Sequence, residues 1–152
     1  MQVAGRAGRA ELKGEVLIQT QYPDHPLYRA LIHHDYPAFA ATQLAERERA
    51  GFPPCTHQAM LRAEAPELKQ ALAFLQTAKE LGDALSPEEV TRYDAVPMRL
   101  HRLAHLERAQ LLVESRSRTA LQGFLVQWVA AIRELKAPKA LRWHIDVDPL
   151  EF

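Results

Sequence analysis

Residues 55–152 predict an α+β domain in which two helices lie on one face of a four-stranded antiparallel sheet. Two stripes supply the helices: Leu121, Phe124, Leu125, Trp128, Val129, Ile132 and Leu135 recur at steps of three and four, and Leu68, Ala71, Leu72, Leu75, Ala78 and Leu85 recur at helical spacing. A third observation supplies a strand. The segment LRWHIDVDP alternates strictly, with Trp143, Ile145 and Val147 on one face and His144, Asp146 and Asp148 on the other.

Taken in order, residues 14–20, GEVLIQT, read as one buried strand, because Val16, Leu17 and Ile18 form an apolar run between Gly14 and polar residues. Prolines 23, 26, 37, 53 and 54 cut the next stretch and leave two helical pieces, Leu27–Asp35 and Pro37–Ala50, the second stopping at Gly51. One strand and two short helices do not make a domain, so residues 1–22 read as the end of one domain and 23–54 as a helical connector. From there the pattern is regular. His57–Ala63 is a strand, Pro66 and Glu67 open a helix, Ser86-Pro87-Glu88-Glu89 is a turn, and Val90–Val96 is a short strand. Residues 97–108 are a basic loop or ribbon, Ala109–Glu114 is a buried strand, and the last helix runs to Pro138 before the closing strand. The order after residue 56 is therefore β-α-β-β-α-β, for which the ferredoxin-like arrangement buries both helix stripes most simply.

At 152 residues the chain holds one ordinary domain, or a smaller one with an appended segment. Nineteen Lys+Arg against nineteen Asp+Glu give a formal net charge of zero, so any case for an anionic partner has to come from local clustering. The single cysteine, Cys55, excludes an internal disulfide framework and a self-contained cysteine zinc site, which fits a reducing cytoplasm. No apolar run approaches the roughly 18 residues of a membrane span and no leader opens the chain, so a soluble cytoplasmic protein, or part of one, is expected.

The most specific local signal is the opening, MQVAGRAGR. Gly5 and Gly8 allow close backbone approach, while Arg6 and Arg9 carry the planar forks that pair with phosphate oxygens. A bare Gly-Arg-x-Gly-Arg serves equally as a turn with two solvated arginines. With Gln2 ahead of it, however, the string resembles motif VI of superfamily 2 helicases, whose arginines reach across a lobe interface to the γ-phosphate of ATP. GEVLIQTQYPDHPLYRAL, FAATQLAERERAGFPPC and the terminal RWHIDVDPLEF are similar to the matching stretches of the PriA-type primosomal replication-restart DNA helicases. This resemblance covers essentially the whole chain.

It implies that the chain is the C-terminal part of a bacterial ATP-dependent 3′-to-5′ DNA helicase that restarts stalled replication forks and assembles the primosome. Gln2, Arg6 and Arg9 would then serve ATP hydrolysis in the full-length protein, with ATP, magnesium and zinc as its cofactors. The chain itself lacks a Gly-x-x-x-x-Gly-Lys-Ser/Thr phosphate loop, an Asp-Glu pair for magnesium and paired cysteines for zinc. It is accordingly expected to need no cofactor and to show no ATPase activity alone. The resemblance further makes Arg118 and Gln122 part of the pocket for the acidic C-terminal tail of single-stranded DNA-binding protein, SSB; the bare residues read equally as a helix start with a solvated arginine. Arg99, Arg102 and Arg108, with His101 and His105, form a basic stretch suited to phosphate contacts with single-stranded or forked DNA, or a solvated hairpin. Related proteins carry an aromatic-Arg pair there, which Leu106-Glu107-Arg108 replaces, so backbone contact rather than base stacking is expected. SSB, DNA and other primosome proteins are the partners implied, and no membrane.

Three features are set aside. His25, His33, His34 and Asp35 read as surface, His144, Asp146 and Asp148 as a solvated strand face, and Cys55 as an inert packing residue. Two rivals stand beside the helicase reading: a stand-alone RNA- or DNA-binding module, which would want aromatics on its central strands where AQLLVE has none, and a purely structural domain packed on the helicase core.

Overall fold

The computed structural model describes residues 16–85, 88–103 and 105–150, with the backbone alone at 100–103. It divides into two units, Met1–Ala50 and Gly51–Phe152.

In the first unit, α1 spans Pro26–Ile32 and α2 spans Tyr36–Ala50. His25 caps α1, its Nδ1 accepting from the Leu27 N–H at 3.1 Å, and Pro26 occupies the first turn, where a missing N–H costs nothing. Asp35 does the same for α2, Oδ1 accepting from the Ala38 N–H at 3.0 Å, and Gly51, at φ 68°, ends the helix in the left-handed conformation. Neither helix buries a single side chain. The strand expected over 14–20 does not form in its described part: Val16–Thr20 has no regular structure, and Leu17 is 88% exposed. An apolar run makes a strand only beside a partner that takes its backbone N–H and C=O groups, and no described strand pairs with it.

The second unit has β1 (His57–Ala65), α3 (Leu68–Leu85), β2 (Val90–Arg92), β3 (Val96–Leu103), β4 (Leu106–Ser115), α4 (Arg118–Arg133) and β5 (Arg142–Val147). Every pairing is antiparallel, β1 lies between β4 and β5, and β2 and β3 both pair with β4 along its outer edge. This is the ferredoxin-like order with its second strand broken into two. The single strand expected over Val90–Val96 is interrupted between Arg92 and Val96, and the basic stretch after it is a ribbon, a β3–β4 hairpin with an irregularity between Pro97 and Arg102.

Strand parity sorts the sheet into two faces. Ala59, Leu61, Ala63 and Ala65 of β1, with Ala109, Leu111 and Val113 of β4, are fully buried under the helices. Trp143 and Ile145 of β5 pack on the same core from the sheet edge. Small residues on β1 let bulky helical side chains come close: Phe74 and Leu75 of α3, and Leu121, Phe124, Leu125, Trp128 and Ile132 of α4. The buried Trp128 indole donates to the Ala78 carbonyl at 2.7 Å, tying α4 to α3 without leaving a buried donor unpaired. Gly82 sits where an added Cβ would come within 3.1 Å of both Trp128 Nε1 and Arg92 Cδ, so a side chain there would force its neighbours to shift by a few tenths of an ångström. Cys55 is exposed, not packed: it lies in the turn before β1, where only Thr56 goes under. No helix among the described residues is long and apolar enough to cross a membrane.

Candidate nucleic-acid interface

The face of the sheet away from the helices carries the second unit's polar chemistry. Its rows follow from the register: Glu64 of β1 stands between Arg108 of β4 and Arg142 of β5, Arg62 between Gln110 and His144, Met60 between Leu112 and Asp146, while Gln58 faces Glu114. The face is polarised along the strands. Arg108 and Arg142 lie at one end, by the β3–β4 hairpin; Glu114 and Asp146 lie toward the other, about 20 Å from Arg108 along β4 and about 13 Å from Arg142 along β5 at ~3.3 Å per residue.

At the acidic end Gln58 Nε2 donates to Glu114 Oε2 at 2.6 Å, and the Tyr93 hydroxyl lies 3.4 Å from Glu114 Oε1. Burial, with the Glu114 carboxylate alongside, raises the Tyr93 hydroxyl above the usual phenol range, so it stays a donor at neutral pH. Arg62 Nη1 donates to Asp146 Oδ2 at 3.1 Å. Gln58 Oε1 and Gln110 Oε1 are buried on this face without a hydrogen-bond donor among the described residues.

The three arginines expected to meet DNA separate. Arg99, in the irregular part of β3, is exposed and makes no ion pair among the described residues. The backbone of Arg102 is set opposite Glu107 by the ladder. Arg108 is committed elsewhere, its Nε 2.9 Å from Glu64 Oε1, and both side chains are mostly buried. A cation held by a neighbouring carboxylate has little charge left for a phosphate, so Arg108 braces β4 against β1. Sequence reasoning missed Glu64 because alternation puts it on the polar face of β1 but cannot say which residue of another strand stands opposite. It also passed over Arg142, a cation in the same row with no ion pair among the described residues.

Arg118 and Gln122 are exposed, one turn apart at the start of α4. Ser117 caps that helix, Oγ accepting from the Ala120 N–H at 3.2 Å, and Ser115 Oγ accepts from the Ser117 N–H at 3.0 Å, so the turn presenting Arg118 is fixed. Val126, one turn beyond Gln122, is 74% exposed and extends the face with an apolar side chain. Gln2, Arg6 and Arg9 lie outside the described residues. No group of three His, Cys, Asp or Glu comes together among the described residues, so the zinc implied by the resemblance has no donor set there.

Comparison with known proteins agrees along the chain. It is 38% identical over 152 residues to the replication restart protein PriA of Haemophilus influenzae, covering 98% of this chain and 20% of that protein. It is 33% identical over 151 residues to the protein of the same name in Synechocystis, covering 98% of this chain and 17% of that one. A third, from Treponema pallidum, is 33% identical over 158 residues and 22% covered. The chain thus spans about one fifth of the length of the curated relatives it matches. Residues 48–150, the whole of the ferredoxin-like unit up to Leu150, match the model of the primosomal protein N C-terminal domain, and the chain belongs to that family.

Proposed function

We propose that this chain is the C-terminal part of a DNA helicase that restarts replication at stalled forks. In it, the ferredoxin-like unit contributes contacts to the DNA backbone and a seat for the acidic tail of SSB, and ATP hydrolysis is completed elsewhere. The family match across residues 48–150, with relatives named as replication restart proteins, is the observation that carries this reading. In the full-length protein Gln2, Arg6 and Arg9 would approach ATP and magnesium held by parts beyond this chain. There the arginines stabilise charge developing in phosphoryl transfer. Arg99, exposed and without an ion pair among the described residues, and its neighbour Arg102 support contact with phosphates. Arg118, Gln122 and Val126 offer a guanidinium, an amide and an apolar surface in line, which suits a peptide ending in a ring and a free carboxylate.

The test is fluorescence anisotropy of a labelled single-stranded oligonucleotide titrated with the chain at low and moderate salt. Binding that weakens with salt, and weakens again in Arg99→Ala/Arg102→Ala, supports the DNA role. Absence of binding at low salt moves the unit to a structural role. The self-paired arginines of the open face favour that second reading.

A further inference from the structure

The cations of the second unit fall into two populations. Lys79, Arg92, Arg62 and Arg108 are each held by an acidic partner, Asp94, Asp83, Asp146 and Glu64 in turn. Among the described residues Lys69, Arg99, Arg116, Arg118, Arg133, Lys136, Lys139 and Arg142 are exposed and make no ion pair. Arg116 and Arg118 lie where β4 ends, and the topology gathers the others toward the opposite end of the sheet. Since β4 and β5 both run antiparallel to β1, both begin where β1 ends, and Glu64 has Arg108 and Arg142 as its two cross-strand neighbours. The loop from α4 into β5, carrying Lys136 and Lys139, therefore lies at the same end as the β3–β4 hairpin. It is anchored by the buried Leu141, whose N–H donates to the Pro138 carbonyl at 2.9 Å. The acids at this end are outnumbered: Glu64 is taken by Arg108, Glu107 is engaged, and Glu67 and Glu134 remain.

We propose that Lys136, Lys139 and Arg142, across the sheet from Arg99, form a track for the phosphate backbone of single-stranded DNA, with Arg108 a fixed brace beneath it. The inference rests on the DNA-binding reading above and names its surface. Arg142 on β5 and Arg99 on β3 are separated by three strand spacings, ~14 Å, a width that a few consecutive phosphates of a strand span. Free guanidinium and ammonium groups displace counterions from a strand; guanidinium groups already neutralised by a carboxylate do not.

The experiment compares three variants of the whole chain with the parent, by anisotropy with a labelled oligothymidine over a series of salt concentrations. The first is Lys136→Gln/Lys139→Gln/Arg142→Gln. The second, Arg49→Gln/Lys79→Gln/Arg116→Gln, makes the same change in net charge on other elements. The third is Arg99→Gln/Arg102→Gln. The track requires the first variant to lose about tenfold in affinity and to flatten the slope of log K against log salt by about 2, the loss of three contacts at ~0.7 each, while the second stays at parental affinity. If the first and second variants behave alike while the third loses binding, the track is overturned and the DNA reading stands. If the parent does not bind, both fall. Thermal melting checks that each variant is folded; should Arg142→Gln disturb β5, Lys136→Gln/Lys139→Gln, confined to a loop, is required to flatten the slope by about 1.4 and is read the same way.

Discussion

The two units of this chain use the same kinds of apolar residue to opposite ends. α3 and α4 drive Phe74, Leu75, Phe124, Trp128 and Ile132 into a shared interior, whereas α1 and α2, with Leu27, Ile32, Tyr36 and Leu44, leave them in contact with water. Caps and turn residues are in order in both, so local signals are not what separates them. The difference is a sheet to close against. Helix propensity and caps contribute only small increments, and burial of an apolar face contributes most of a helix's stability in a protein.

The largest test of this contrast is amide hydrogen exchange: Leu61 and Leu111 at the centre of the sheet are expected to exchange roughly a thousandfold or more slowly than residues 38–46 of α2. Equal protection would mean that the first unit has a core of its own. Next comes truncation. Trp128→Ala removes the largest buried side chain and its hydrogen bond, and should cost the second unit about 3–5 kcal/mol in denaturant unfolding. Leu44→Ala, at a half-exposed site in α2, should move the same transition by less than ~0.5 kcal/mol. Glu64→Gln probes the polar face more gently, leaving Arg108 half-buried without its carboxylate at a cost of about 1–3 kcal/mol. In the anisotropy assay it should also tighten binding of the oligonucleotide, because a second arginine is released beside Arg142.

The smallest effect is a pH dependence. The Lys79 ammonium, hydrogen-bonded to Asp94, holds that carboxyl below its usual range, and Asp94 in turn holds Lys79 above its own. A carboxyl lowered in the folded state stabilises the fold at neutral pH, and the contribution is lost as the pH falls through the lowered value. A melting series of parent against Asp94→Asn should thus show a slight deficit for the variant at pH 7 that closes on acidification below the ordinary carboxylate range. A deficit unchanged at low pH would assign it to packing instead.

Both helices of the second unit were legible in the sequence because their stripes persist over several turns and nothing else accounts for them. Phe74, three residues after Ala71 and four before Ala78, belongs to the same stripe although the reading left it out, whereas Gly82 matters only because Trp128 and Arg92 arrive from elsewhere in the chain. Leu85, counted in the stripe, sits 37% exposed at the helix end. The run Val16-Leu17-Ile18 is the converse case, since the apolar pattern is present and the partner strand that would give it meaning is not among the described residues. For the site, residue type singled out Arg99 and Arg102. Only cross-strand register, which depends on three separate segments, separates the captive Arg108 from the free Arg142.

The broken second strand bears on how the protein behaves in crowded solution. An unbroken outer edge offers a row of free amides and carbonyls that another chain can copy, the first step toward edge-to-edge aggregation. Here the outer edge of β4 is covered by two separate pieces, with Pro97 supplying no amide and an irregularity following it. A neighbouring molecule finds no continuous template on that side. The interruption that makes the strand hard to read in the sequence also makes this edge a poor template for another chain.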